Sequence, residues 1–216
     1  MVLKTRLLLV AITVFVTSCA SYVAFDRSKN SSLTNVVISD QVVLPNNGMY
    51  FKDQTAKMTS SVLGAGLIGE AISTSVTAPA RERMINSMSA NHVRVEQICS
   101  NQFKMELEKS KKFTVTSTDK PDAKFILSIT RFGFSAIPWQ TALRPVVVVE
   151  GKLVSPDSAV LWNMTRQMNN HSDPVVPARE FDDYMKDIEL VRTGFTAACQ
   201  VAARDLVADL LGGNPQ

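Results

Sequence analysis

PVVVVEGKLV (residues 145–154), SPDS (155–158) and AVLWNMTRQM (159–168) together decide the fold class. Four consecutive valines, Val146 to Val149, suit a strand covered on both faces or nearly so. The Ser-Pro-Asp-Ser cluster is a turn, and the stretch after it continues as a strand carrying Trp162. Spacing and turn chemistry predict an antiparallel hairpin over Val146 to Met164. Upstream, FTVTST alternates over Phe113–Thr118, and Ala123–Phe134 sets Phe125, Leu127 and Ile129 on one side of a strand.

Two helical patterns flank this strand block. In Val93–Lys111, Val95, Cys99, Phe103 and Leu107 recur every four residues and share one face. In Asp187–Leu211, Val191, Phe195, Cys199, Ala202, Leu206 and Leu210 form an apolar stripe that Gly212-Gly213 ends. A polar loop, Asn169–Pro177, and a short helix, Arg179–Lys186, lie between the hairpin and the last helix. Nearer the start, Asn35–Leu44 (NVVISDQVVL) reads as a strand closed by the turn cluster Pro45-Asn46-Asn47-Gly48, with Met49–Lys52 as a short partner strand. Arg81–Asn91 is polar and helical. The order predicts an α+β two-layer sandwich, a mostly antiparallel sheet with the two main amphipathic helices on one face.

The first residues read as a targeting segment. Lys4 and Arg6 precede Leu7–Val16, an apolar run of ten residues. That is half of the roughly 20 needed to cross a bilayer, and it matches the apolar core of a secretory signal. Val16-Thr17-Ser18-Cys19 follows, and this resembles the lipobox of bacterial lipoproteins. The resemblance implies a diacylglyceryl thioether on Cys19, cleavage before it and acylation of the new N-terminus. This covalent lipid is the only cofactor expected. With Ala20 in place of Asp after the cysteine, the same resemblance implies the outer membrane, with the domain facing the periplasm. The expected division is a signal peptide at 1–18, a Ser/Asn-rich flexible tether at 19–34, and a single domain at 35–216.

Residues 1–18 contain two basic residues and no acidic ones, so 21 basic and 20 acidic groups remain after their removal. A near-neutral chain gives no electrostatic case for nucleic acid. Lys109, Lys111 and Lys112 sit near a helix end, where cations complement the dipole.

A second resemblance rests on Leu107-Glu108-Lys109-Ser110-Lys111-Lys112-Phe113-Thr114-Val115, on Pro121-Asp122-Ala123-Lys124-Phe125-Ile126-Leu127, on Gly151-Lys152-Leu153-Val154 and on Ala159-Val160-Leu161-Trp162. It covers roughly residues 93–168 with the C-terminal helix. These stretches are similar to periplasmic lipoproteins with a two-layer domain, of the curli-secretion lipoprotein and TolB N-terminal type. The pattern mostly records which positions face the core. It implies a fold and a cell-envelope role in binding partners, not an enzymatic activity.

Several motifs carry chemistry in principle. Gly64-Ala65-Gly66-Leu67-Ile68-Gly69 matches GxGxxG, but no buried strand feeds it and no βαβ unit follows. The small-residue segment Thr59–Ala78 is instead a helix or loop packed on the domain, or a segment contacting membrane or partner. Cys99 and Cys199 lie on the apolar stripes of the two main helices. They are either buried thiols or a disulfide, for which an oxidising compartment provides the conditions. His92 and His171 are the only histidines, and no metal site is expected from them or from Asp182, Asp183 and Asp187. Phe132, Phe134, Ile137 and Trp139 mark the loop Ser135–Arg144 as a candidate partner-binding surface, because loops carry function and Trp suits a hot spot; a Trp capping the core is the alternative. The expected function is non-enzymatic: a membrane-anchored lipoprotein that binds an envelope protein or itself, assisting assembly, transport or secretion. A hydrolase with a dispersed site, or an oligomeric pore subunit using residues 59–78, are the alternatives.

Overall fold

The computed structural model describes residues 22–46, 48–52, 68–117, 120–137, 139–167 and 176–213, with backbone alone for Lys52 and for 68–78. Cys19 with its lipobox, residues 59–67 and His171 lie outside the described residues. The strands are β1 (Asn35–Ile38), β2 (Tyr50–Lys52), β3 (Thr114–Val115), β4 (Ala123–Ala136), β5 (Leu143–Val154) and β6 (Val160–Gln167). The helices are α1 (Ile68–Ala90), α2 (Val95–Lys109), α3 (Phe181–Lys186) and α4 (Ile188–Leu210).

One sheet of order β3-β1-β4-β5-β6 carries α2 and α4 on a single face, the two-layer α+β arrangement expected. The valine-rich strand pairs antiparallel with β4 over its whole length and with β6 from Val148 to Val154. β1 pairs parallel with the start of β4, and β2 pairs parallel with its end, Tyr50 opposite Gly133. Met49–Lys52 was expected beside the first strand; it extends the same sheet edge instead. A long β4 offers room for both segments end to end, and an isolated bridge from Val43 to Ser128 joins the two registers.

Strand alternation explains the core until it is interrupted. Phe125, Leu127 and Ile129 all point inward and are buried. The register shifts between Ile129 and Arg131, and such a bulge moves the inward set by one position. Beyond it Gly133 to Ala136 are all buried, with Phe134 and Ala136 in the hydrophobic core. Gly133 lies within this reset stretch at φ +149°, with the Tyr50 carbonyl oxygen only 1.7 Å from where a Cβ would stand.

The helices bury their predicted stripes. Val95, Cys99, Phe103 and Leu107 of α2 face α4, whose Val191, Phe195, Cys199, Ala202, Leu206 and Leu210 are also buried. Cys99 and Cys199 form a disulfide between the two helices, with Cα atoms 4.8 Å apart. Trp162 is fully buried, and its indole N–H donates to Asp209 Oδ1 at 2.7 Å. Asp205, also buried, is held by Arg166 at 2.7 Å and Arg204 at 3.3 Å. Asp187 caps α4 by accepting from the Glu189 amide at 3.0 Å.

The tether expected at 19–34 is not free over its described part. Val23 pairs with Asn163 on the edge of β6, Phe25 packs edge-on against Phe113, and Leu33 lies against the core. Partial burial of Phe25 and Leu33, with the backbone pairing of Val23, holds the stretch to the domain despite its polar composition. The helix expected at Arg81–Asn91 is the end of the longer α1, which stops at Ala90, contains Pro79 and places Met84 and Met88 in the core. No helix among the described residues is long and apolar enough to cross a membrane.

Candidate partner-binding loop

The loop joining β4 to β5 is built on a rigid base. Ile137 N–H donates to the Ala142 carbonyl at 3.0 Å, and Gln140 N–H donates to the Ile137 carbonyl at 3.1 Å. Leu143 and Arg179 exchange two backbone hydrogen bonds, at 2.7 and 3.0 Å, which brace the loop with the segment before α3. The Tyr184 phenol donates to the Leu143 carbonyl at 3.1 Å, and the Thr141 hydroxyl donates to Glu180 Oε1 at 2.8 Å. Burial pushes the Tyr184 hydroxyl far above its ordinary pKa, so it remains a donor at any physiological pH.

Beneath the loop is a cluster of aromatic rings. Phe134 packs tilted against Tyr184 at 5.0 Å and edge-on against Phe195 at 5.4 Å, and Phe51 bridges Phe134 and Phe181 at 6.1 and 5.9 Å. The Arg83 guanidinium lies 5.1 Å above Phe181. Ring pairs of this kind add about 0.5–1.5 kcal/mol each beyond their buried area, so the platform resists deformation.

Trp139 projects from this platform. Its side chain is 91% exposed, and its backbone sits at φ +64°. A non-glycine residue in the left-handed region costs about 1–2 kcal/mol. Its persistence on a braced loop fits a presented side chain better than one capping the core.

The four residues singled out in this region divide. Trp139 is on the surface and Ile137 is partly buried at its foot. Phe132 is partly buried; it leans on Phe195 at 6.4 Å and lines a cleft of about 180 Å³ with Met49, Ile85, Met88 and Val93. Phe134 has no exposure and belongs to the core, which corrects its place in a partner-binding set. The bulge before it was the missing signal. Glu180, Arg179 and Tyr184, which hold the loop, were not singled out; their partners lie some 36–41 residues away and leave no local pattern. Among the described residues, no group of three or more His, Cys, Asp or Glu side chains is placed to hold a metal ion.

No family model matches the chain, and no curated protein matches it. Among solved structures, a Xanthomonas campestris protein of the DUF330 family is similar over 52% of this chain and 58% of its own, at 16% identity and a TM-score of 0.38. The chain thus spans little more than half of that protein. A PelC dodecamer structure from Paraburkholderia phytofirmans is similar over 76% of this chain and 85% of its own, at 11% identity and a TM-score of 0.28. The lipoprotein GNA1162 from Neisseria meningitidis is similar over 72% of this chain and 95% of its own, at 12% identity and a TM-score of 0.27. Likeness this distant supports no argument about activity.

Proposed function

We propose that the chain is a non-enzymatic lipoprotein, anchored by acylated Cys19 to the periplasmic face of the outer membrane, that docks another envelope protein through the Trp139 loop. The observation that carries the docking part is Trp139 itself: a large aromatic ring, 91% exposed, fixed on a loop that six hydrogen bonds and an aromatic platform hold in place. A preorganised aromatic anchor loses little entropy on binding, which is why Trp dominates hot spots. The Cys99–Cys199 bridge agrees with folding in an oxidising compartment. The anchoring part is supported by Val16-Thr17-Ser18-Cys19 in the sequence.

The test is photocrosslinking in intact cells with benzoylphenylalanine at position 139, and at exposed Lys124 as control. The expected result is one discrete envelope protein captured at 139 and absent at 124. Equal, diffuse capture at both positions would overturn the proposal.

A further inference from the structure

The chain enters the described domain at a pinned point. Val23 and Asn163 exchange two backbone hydrogen bonds, at 3.1 and 2.9 Å, and the Tyr22 phenol donates to Asp209 at 3.1 Å. Phe25 packs on Phe113 with ring centroids 6.2 Å apart, and the amides of Thr34 and Asn35 donate to Asp122. Four Cα steps separate Val23 from Cys19. A fully extended chain of that length spans about 14 Å. Acylated Cys19, on which this inference rests, would therefore hold the Val23 end of the domain within about 14 Å of a bilayer.

That end carries exposed cations. Arg27, Lys111 and Lys112 are exposed, and none forms an ion pair with a described residue. No described carboxylate at this end of the domain forms an ion pair with these three cations; Asp26 pairs with Lys29, and the others accept from neutral donors. Asp26 holds Lys29 and the Ser28 hydroxyl, Asp122 holds two backbone amides, Asp157 accepts from Ser155, and Asp209 accepts from Trp162 and Tyr22. Arg27 and Lys112 line, with Phe25, Phe113 and Leu211, a cleft of about 220 Å³. Tyr22 is 62% exposed, an amphipathic ring of the kind that settles at headgroup level. Trp139 is at the other end of the sheet. Asn163 lies opposite Lys152, and nine Cα steps along β5 separate Lys152 from Leu143, about 30 Å of strand.

We infer that the end of the domain formed by Tyr22–Leu33 and the Ser110–Phe113 turn is a docking surface for an anionic phospholipid bilayer. Arg27, Lys111 and Lys112 meet headgroup phosphates there, and the Trp139 loop is presented about 30 Å along the sheet from it. The attachment point and the cation cluster thereby set an orientation, not only a location.

The test uses the mature protein, extracted from membranes in detergent and reconstituted into phosphatidylethanolamine vesicles containing phosphatidylglycerol. Flotation is read first, then hydrogen exchange against the soluble Cys19→Ser form. The expected result is flotation, slowed exchange over 22–33 and 110–113, and unchanged exchange over 137–142. The Arg27→Glu/Lys112→Glu variant should still float but lose the slowing. Flotation with slowing at 137–142 instead, or with none anywhere, overturns the inference and leaves anchoring intact. Equal slowing on pure phosphatidylcholine vesicles overturns the anionic specificity. A protein that does not float contradicts acylation and removes the leash with it.

Discussion

Replacing both helix cysteines, Cys99→Ala with Cys199→Ala, tests the joint between α2 and α4. The bridge spans a sequence separation of 100, and closing a loop of that length restricts the unfolded chain by about 4–5 kcal/mol in the chain-entropy model. Both sulfurs are buried, so the variant also loses some packing. At roughly 2–4 °C per kcal/mol for a domain of this size, the melting midpoint should fall by roughly 8–20 °C. Thermal denaturation followed by circular dichroism reads the shift. Wild-type protein unfolded and refolded in reductant should melt with the variant, which separates the bridge from the alanine side chains. The reasoning fails if the variant melts within about 3 °C of oxidised wild type while wild-type thiols resist alkylation after unfolding.

Other consequences follow from single contacts. Asp209→Ala strands the buried Trp162 N–H and should destabilise by about 1–3 kcal/mol; Asp209→Asn, which keeps an acceptor, should destabilise less, as read from denaturant midpoints. Gly133→Ala places a methyl against the Tyr50 carbonyl at a positive φ. It should cost about 3 kcal/mol or more and release β2, seen as faster hydrogen exchange over residues 49–52. Acid should weaken the fold through exposed carboxylates. Hydrogen bonds from Ser28 and Lys29 hold Asp26 at about 2, the amides of Asn35 and Thr34 hold Asp122 low, and Ser155 holds Asp157 low. Depressed folded-state values contribute stability that is full above the unfolded value near 4 and lost as pH falls through the folded value. Denaturant midpoints should therefore be flat on this account above pH about 4 and decline toward pH about 2, less steeply for Asp122→Asn.

Sequence patterning made the helices and the central hairpin legible because their pairing is local or periodic. Each stripe residue of α2 and α4 repeats at helical spacing, and β5 and β6 are joined by a turn whose chemistry is explicit at Ser155–Ser158. The parallel partners were not legible. Tyr50–Lys52 is three residues long, and nothing within it selects β4 at Gly133–Ser135 over β1. Such choices are made by tertiary packing, here of Phe51 on Phe134. The docked stretch from Val23 to Leu33 was hidden for a related reason. Its apolar residues, Val23, Phe25 and Leu33, are spread among Ser, Asn and charged residues, without a period to mark a face. At the loop, Trp139 was found by residue type alone. The fate of Phe134 depended on a bulge that composition does not encode.

The central claim concerns the lipid, and mass spectrometry of the membrane-extracted protein addresses it most directly. The account requires a mature chain that begins at Cys19 and carries a thioether-linked diacylglyceryl group and an amide-linked acyl chain. A chain whose Cys19 is unmodified, or whose first residue lies elsewhere, would contradict it.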